Sequence, residues 1–206
     1  MSEIKILRRL AANKAVRFLL IFVAFVFNVG LATASNPGDH PLDYKLLATS
    51  RTSTMESELN KAAAEGYRFG QAMGGKSANG GSEIVVAVVK DDVPSAQGNR
   101  KYKLLATSRT STMQRELQEA ARDGYRYLEQ TVFETAFGGN EVIVIMEFDP
   151  SRTNPQPSYH LLATTNTSKM QQELKEEGKR GYTLLGLTVG KTAMGGDEIL
   201  AILQKD

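Results

Sequence analysis

Residues 44–55 have the sequence Tyr-Lys-Leu-Leu-Ala-Thr-Ser-Arg-Thr-Ser-Thr-Met, and the same stretch recurs without change at 102–113. A looser copy, Tyr-His-Leu-Leu-Ala-Thr-Thr-Asn-Thr-Ser-Lys-Met, occupies residues 159–170. The copies begin at residues 44, 102 and 159, a period of 58 and then 57 residues. A fixed period of this length is typical of a repeated supersecondary unit. The fold therefore has to be derived for one repeat and then for the packing of three.

Each repeat predicts a strand, a helix and two further strands. The opening Tyr-Lys-Leu-Leu-Ala-Thr is apolar and partly β-prone. In the first repeat Met55, Leu59, Ala62 and Ala63 then follow at the spacing of one helical face. Gly66 comes where a helix ends in the left-handed conformation, which glycine adopts without a steric clash. The second repeat preserves this pattern.

The helix starts also carry a recurring polar pair. A serine followed three residues later by glutamate or glutamine has the spacing of a capping box, in which each side chain binds a free amide of the first turn. The pairs are Ser53 with Glu56, Ser111 with Gln114, and Ser168 with Gln171. In the third helix Glu177 and Gly178 replace the alanines, so we expect a weaker last turn there.

The closing strand of each repeat is apolar without alternation, at 84–89, 142–146 and 199–203. Such a strand is usually covered on both faces. One helix covers only one face, so we expect the other face to pack against a neighbouring repeat. The predicted fold class is α+β, with three tandem βαββ repeats of antiparallel hairpins and one helix per repeat, packed into one body.

The N-terminal residues predict export. Five basic residues precede an apolar run at 18–31, and Ala32-Thr33-Ala34 fits a signal peptidase site before Ser35. The run is shorter than the roughly 20 residues that span a bilayer, which favours a cleaved leader over a retained anchor. We divide the chain into a signal peptide (1–34), a mobile N-terminus (35–42), repeats (43–92, 101–149, 158–206) and linkers (93–100, 150–157), and expect a periplasmic or secreted protein.

Composition excludes several classes of function. The expected leader holds five of the 25 basic and one of the 23 acidic residues, so the mature chain carries a formal charge near −2. This balance predicts no nucleic-acid partner, and after cleavage no membrane association. The absence of cysteine excludes disulfides, thiolate catalysis and cysteine-ligated metal. A single repeat of about 50 residues would be marginally stable alone, which again favours packing between repeats.

One faint resemblance follows from the first repeat. A Tyr-Lys opening strand, a helix ending Glu-Leu-Asn60-Lys-Ala-Ala-Ala-Glu-Gly66-Tyr67 and a closing apolar hairpin resemble a small bacterial βαββ domain family of unknown function. That family more often has tryptophan where this chain has Tyr67, Tyr125 and Tyr182. The resemblance covers residues 43–206 as three copies and implies a fold, but no activity.

Residues 70–77, Gly-Gln-Ala-Met-Gly-Gly-Lys-Ser, match the pattern of a phosphate-binding P-loop. That loop requires a strand before it and a helix after it, so that amides at the helix start hold the phosphates. Here a strand is predicted to follow. We therefore interpret the match as a hairpin without nucleotide, and we expect no cofactor.

The helix starts offer a better candidate site. Amides, hydroxyls and an arginine at a helix N-terminus together can hold a carboxylate, sulfate or phosphate. The candidate anion-binding residues are Arg51, Thr52, Ser53, Arg109, Thr110 and Ser111. The alternative is that the serines only cap their helices while the arginines are solvated. The third repeat has Asn166 and Lys169 instead, so a site there would differ or be absent.

Histidines and carboxylates predict no catalytic or metal site. His40 and His160 are the two histidines, and the repeats share no Ser-His-acid set. Glutamates recur after each Gly-Gly turn and in each helix, which could support acid–base chemistry if a pair converged. Exposed glutamates more often form surface ion pairs. These residues are Glu83, Glu141, Glu198, Glu58, Glu116 and Glu173.

The sequence thus predicts an exported, non-catalytic protein with a binding or scaffold-like role, presenting repeated loops to an unidentified ligand or protein partner. One alternative is an exported enzyme with a site lined by Glu and Tyr between repeats. Another is an inhibitor or assembly partner of a second exported protein, which would expose an apolar patch or an unpaired strand edge.

Overall fold

The computed structural model describes residues 41–76, 81–90, 99–107, 109–134, 140–152, 156–191 and 197–206. The predicted signal peptide and nearly all of the predicted N-terminal segment lie outside these residues, as do most of the first linker and part of the second. Residues 40–206 form one compact unit, as predicted. None of the described helices combines the length and apolar character needed to span a bilayer.

The three repeats have the same order of elements. The first contains β1 (Asp43–Thr49), α1 (Thr52–Ala64), β2 (Arg68–Lys76) and β3 (Ser82–Lys90). The second contains β4 (Lys101–Thr107), α2 (Thr110–Arg122), β5 (Arg126–Glu134) and β6 (Asn140–Phe148). The third contains β7 (Ser158–Thr164), α3 (Thr167–Lys179), β8 (Thr183–Lys191) and β9 (Asp197–Lys205). The predicted α+β class with three βαββ repeats is confirmed.

Each repeat forms its own antiparallel sheet with the closing strand in the centre. The strand orders are β1-β3-β2, β4-β6-β5 and β7-β9-β8. In the first sheet Ala87 of β3 lies opposite Leu46 of β1 and Gln71 of β2. The central position explains why the closing strands are the most apolar, because both edges are paired and both faces can be covered.

Sheets and helices alternate along the molecule. In β6, Ile143 and Ile145 belong to a core cluster with Met55 and Leu59 of the preceding helix. The intervening Val144 belongs to a second cluster, formed with the repeat's own helix and with the third sheet. The second sheet is therefore buried between α1 and α2, and the third sheet between α2 and α3. The predicted burial of closing strands against neighbouring repeats is confirmed for the second and third repeats.

The helix faces and helix ends follow the sequence pattern. Met55, Leu59, Ala62 and Ala63 are all buried, as are their counterparts in α2. Gly66, Gly124 and Gly181 have φ angles of 91°, 87° and 89°. In α1 the N–H of Tyr67 donates to the carbonyl of Ala62 at 3.0 Å, and that of Gly66 to Ala63 at 2.9 Å. This is the Schellman pair of hydrogen bonds, and it ends the helix as predicted.

The predicted capping boxes are wrong for all three helices, because each serine lies inside the first turn and not at the N-cap. The residues at the N-cap of α1 and α2 are Arg51 and Arg109, neither of which caps through its side chain. Ser53 already lies inside the first turn, beyond the position from which its hydroxyl could act as the cap. In α3 the side chain of Asn166 accepts the N–H of Lys169 at 3.0 Å and supplies the cap. The serine–glutamate spacing therefore has another cause, which lies in the contacts between repeats.

The third helix has a buried acidic residue on the face that is apolar in α1 and α2. Glu177 is buried where α1 and α2 carry alanine, and it pairs with Arg180 at 2.7 Å. Its second oxygen lies 3.2 Å from Nδ1 of His160. The helix nevertheless spans as many residues as the other two and ends at Gly181 in the same way. The helix is therefore not shortened, and the weaker last turn that we expected stays a prediction.

The P-loop match lies almost entirely within strand β2, and the next described element is strand β3. Lys76 pairs with Glu134 of the second repeat at 3.2 Å. The side chain that would bind phosphate thus has an acidic partner, and no helix start faces the glycines. The interpretation of the match as part of a hairpin is confirmed for its described residues.

Candidate functional site: the interface between repeats and its two open halves

The contact between consecutive repeats is a specific interface that the chain builds twice. In the first interface the side-chain amide of Asn60 in α1 donates to the carbonyl of Tyr102 and accepts its N–H, both at 2.9 Å. The carboxylate of Glu56 accepts the N–H of Leu104 at 2.8 Å. The backbone groups at the outer edge of β4 are thus hydrogen-bonded to helix side chains instead of another strand. This prevents the edge from pairing with a strand of another chain.

The second interface repeats this arrangement with glutamines. Gln114 of α2 donates to the carbonyl of Tyr159 at 2.8 Å and accepts the N–H of Leu161 at 2.7 Å. Gln118 accepts the N–H of Tyr159 at 3.2 Å. Residues 56 and 114 occupy equivalent positions, as do 60 and 118. The glutamate and glutamine that suggested capping boxes in α1 and α2 therefore form hydrogen bonds with the edge strand of the next sheet.

A tyrosine from the following repeat completes each interface. The backbone N–H of Phe69 donates to the hydroxyl of Tyr102 at 2.9 Å, and that of Tyr127 donates to the hydroxyl of Tyr159 at 2.8 Å. Both donors lie where the second strand of the repeat shifts register, so their amides are turned away from the ladder. Burial raises the pKa of the Tyr102 and Tyr159 phenols above their usual value. These tyrosines are structural hydrogen-bonding groups.

The second strands of consecutive repeats also lie against each other. The N–H of Ala72 in β2 donates to Glu129 of β5 at 2.7 Å, and the N–H of Gly74 donates to Thr131 at 2.9 Å. A Cβ on Gly74 would come within 2.0 Å of the carbonyl oxygen of Val132, so only glycine allows this approach. Each interface therefore has two parts, a helix against an opening strand and one second strand against the next.

The first repeat presents one half of this interface with no described partner. Tyr44 and Leu46 in β1 are equivalent to Tyr102 and Leu104 in β4. Tyr44 is 65% exposed, whereas Tyr102 is 2% exposed. Leu46 is 70% exposed, whereas Leu161, the equivalent residue in β7, is 8% exposed. We call this surface the head face, and define it by Tyr44, Leu46, Met73, Val85 and Ala87.

The third repeat presents the complementary half. Leu187 in β8 is 54% exposed, whereas its counterpart Ala72 is 6% exposed against the second repeat. Val189 and Leu184 are also largely exposed, at 60% and 45%. We call this surface the tail face, and define it by Gln171, Lys175, Leu184, Leu187 and Val189. Burying a side chain of this size contributes about 1.5–3 kcal/mol, so both faces are favourable binding surfaces.

The exposed apolar side chains of the described residues are concentrated on these two faces. Seven large apolar side chains are exposed among the described residues. Six belong to the head and tail faces, and Leu42 immediately precedes β1. Scattered exposed apolar residues need no explanation, whereas contiguous exposed patches are typical of surfaces that contact other molecules.

The predicted anion-binding residues are divided between two repeats and do not converge. Arg51, Ser53, Arg109 and Ser111 are exposed at the starts of α1 and α2. Thr110 lies 3.5 Å from the carboxylate of Glu198, and both line a cleft with room for about one water molecule. A carboxylate of the chain itself thus faces the start of α2 and would repel an added anion. The anion site stays a prediction.

A buried charged network is specific to the second repeat. Glu147 is 6% exposed and lies 3.4 Å from both Arg100 and Arg152. It also accepts a hydrogen bond from the hydroxyl of Tyr102 at 3.1 Å. Asp149 contacts both arginines as well, and a cleft of about 290 Å³ adjoins it. The two carboxylates are thus compensated by the two arginines, of which Arg152 is 44% exposed and lines the cleft.

The groups required by the enzyme alternative are used elsewhere or kept apart. Among the described residues, no group of three or more histidines or acidic residues is placed to hold a metal ion. Glu173 pairs with Lys169 at 3.7 Å, and Glu198 faces Thr110. The hydroxyls of Tyr102 and Tyr159 are occupied by backbone donors. The enzyme alternative stays a prediction.

Comparisons with known proteins found no match: no protein-family model, no curated protein and no solved structure corresponds to this chain. The two end faces were not predicted from the sequence, because the repeats were treated as equivalent. A signal was present in the twelve identical residues at 44–55 and 102–113. These two stretches have the same side chains, but only the second follows the helix of another repeat, so their surroundings have to differ.

Proposed function

We propose that this protein is an exported, non-catalytic assembly protein that binds other protein surfaces through its head and tail faces. The single observation that supports this most strongly is the contrast between Tyr44, 65% exposed, and Tyr102, 2% exposed, at the same place in two identical stretches. The binding surfaces are thus the ends of the array. The hairpin loops, whose tips lie outside the described residues, are not needed for this role.

Exposed apolar faces are expected of an inhibitor or an assembly partner, and their presence on both end repeats favours assembly. Assembly partners require exposed apolar area next to an unpaired strand edge, and β1 offers both. Such edges are usually blocked by charge or proline when they have no partner. In β1 the head-facing positions are tyrosine and leucine, so the edge is suited to pairing.

The proposed role is tested by capture from the native envelope and secreted fractions. Wild-type protein and the variants Leu46→Asp and Leu187→Asp are used as bait, with Lys61→Asp as the control on an exposed helix position. We expect a protein that is recovered with wild type and Lys61→Asp and is lost with at least one end-face variant. Equal recovery with all four baits would contradict binding through the end faces.

Export is tested separately. Intact-mass analysis of the protein from its native host should show a chain beginning at Ser35, because the small residues before it fit signal peptidase. A chain that retains residues 1–34 in the membrane fraction would overturn the proposed location.

A further inference from the structure

The head and tail faces are the two halves of one interface, and the chain shows twice how they fit together. In both internal copies an opening strand, led by its tyrosine, lies against the preceding helix and second strand. The head face supplies the opening strand, and the tail face supplies the helix and the second strand. We infer that the tail face of one molecule binds the head face of a second copy of this chain, so that the protein assembles head to tail.

The equivalences assign the contacts of this assembly. Tyr44 of one copy would take the place that Tyr102 and Tyr159 take internally, with its hydroxyl accepting the N–H of Leu184. Leu46 would lie against Gln171, because Leu104 and Leu161 donate their N–H groups to the equivalent Glu56 and Gln114. The inference rests on the proposed function, since it names the partner for the same two faces.

The second strands complete the contact. Leu187 and Val189 occupy the positions of Ala72 and Gly74, which lie against the second strand of the next repeat. Their counterpart on the head face is Met73, equivalent to Thr131. Leu187, Val189 and Met73 would make an apolar contact where the first interface has the hydrogen bond from Gly74 to Thr131. Because Val189 has a side chain where the first interface admits only glycine, the two second strands would lie further apart than β2 and β5 do.

One difference weakens the contact relative to the internal interfaces. Lys175 stands where Asn60 and Gln118 stand, and an ammonium group cannot accept a hydrogen bond from a strand N–H. The N–H of Tyr44 would therefore lose the acceptor that the N–H of Tyr102 and Tyr159 have. A weaker contact produces an assembly that responds to concentration. A head-to-tail contact of this kind is heterologous, so it forms a ring if the rotation closes and a filament if it does not.

The test is sedimentation of protein produced from the full coding sequence, so that its leader is processed as in the cell. We expect the wild-type mass to rise with concentration. Leu46→Asp and Leu187→Asp should each stay monomeric, with unchanged circular dichroism because both positions are exposed. An equimolar mixture of the two variants should form a complex of two chains and no larger, because one intact head and one intact tail remain.

This mixture separates the possible arrangements. If association is lost in Leu46→Asp but retained in Leu187→Asp, the contact is head to head and the inference is wrong. A wild type that stays monomeric at its solubility limit also overturns it. A wild type that is monomeric in sedimentation can still capture another protein that the Leu46→Asp variant does not capture. In that case the proposed function stands and only self-assembly fails. If neither experiment responds to the end-face variants, both fail.

Two further variants test the assigned contacts. Lys175→Gln restores the amide found at Gln118 and should tighten association about fivefold, the equivalent of one hydrogen bond. The chain has no cysteine, so a disulfide between a Leu46→Cys copy and a Gln171→Cys copy would be unambiguous. A Glu176→Cys copy is the control, since the counterparts of Glu176 remain exposed beside both internal interfaces. Cross-linking that is equally efficient with Glu176→Cys would contradict the assigned geometry.

Discussion

The glycines that end the helices have the same backbone conformation in different surroundings. Gly124 has a φ of 87°, and a Cβ there would lie 3.1 Å from the ring of Phe148. Gly181 has a φ of 89°, but the nearest atom to a Cβ would be the end of Lys205 at 3.6 Å. The two positions therefore separate backbone strain from crowding.

Gly124→Ala should lower the free energy of unfolding by about 1–2 kcal/mol, the cost of a side chain in the left-handed conformation, plus a contribution from contact with Phe148. Gly181→Ala should show the strain alone and lose less. Urea denaturation of both variants measures the difference. Equal losses would mean that the ring of Phe148 moves aside without cost.

Tyr159 tests whether the interface tyrosines are structural. Its buried hydroxyl accepts the N–H of Tyr127 at 2.8 Å, so Tyr159→Phe leaves a donor without its partner. We expect a loss of about 1–3 kcal/mol in unfolding free energy. Tyr182→Phe is the control, because that hydroxyl is only 3.5 Å from Ser158 in an exposed contact. A similar, small loss for both variants would contradict the structural role.

The same tyrosines predict a dependence on alkaline pH. Burial raises the pKa of Tyr102, Tyr127 and Tyr159 in the folded chain above the ordinary value of 10.0. Above about pH 10 the unfolded chain loses phenolic protons that the folded chain retains, so stability should fall as the pH rises. Below that pH these groups contribute fully. Unfolding free energies between neutral pH and pH 11 should fall less steeply in Tyr102→Phe than in wild type, and parallel slopes would exclude this cause.

At the scale of the element, helices and helix ends were predictable from local sequence because their causes are local. Met55 and Leu59 follow the helical period, and Gly66 can adopt a positive φ. The role of Glu56 was not predictable in this way. Its spacing from Ser53 suggested a cap, but its partner is the N–H of Leu104, 48 residues further along the chain. The recurrence of amide or acid side chains at 56 and 60, and again at 114 and 118, was the available signal.

The interface between helix and edge strand can be tested with equivalent positions. Asn60→Ala removes both hydrogen bonds to the backbone of Tyr102 and should cost about 1–3 kcal/mol, since these groups are partly buried. Lys175→Ala changes the equivalent residue of α3, against which the described residues place no opening strand of a further repeat, and should be nearly neutral for the monomer. Chemical denaturation at low protein concentration compares them. A neutral Asn60→Ala would mean that water replaces the amide.

At the scale of the whole molecule, the three repeats pack together because each repeat has only one helix to cover a sheet that is apolar on both faces. The helices α1 and α2 therefore each cover two sheets, whereas α3 covers only the third sheet among the described residues. The sequence was sufficient to predict this sharing, because the closing strands do not alternate. It was not sufficient to show which residues of the two end repeats stay exposed, since that depends on which face of each sheet packs against the helix of the preceding repeat.

Sharing of helices predicts cooperative unfolding. Tyr159, Leu161, Leu200 and Ile202 of the third repeat belong to the same core cluster as Met113 of α2. A chain that ends at Asp149 loses these side chains and uncovers α2 and β5, so it should be less stable than the whole protein or should aggregate. The intact chain should melt in one transition in calorimetry. If the repeats were independent units on flexible linkers, the truncated chain would stay soluble. Its unfolding enthalpy would then equal the share of the first two repeats in the enthalpy of the intact chain. The burial of α2 between the second and third sheets argues against that outcome, because unfolding the third repeat alone would expose apolar surface of the second.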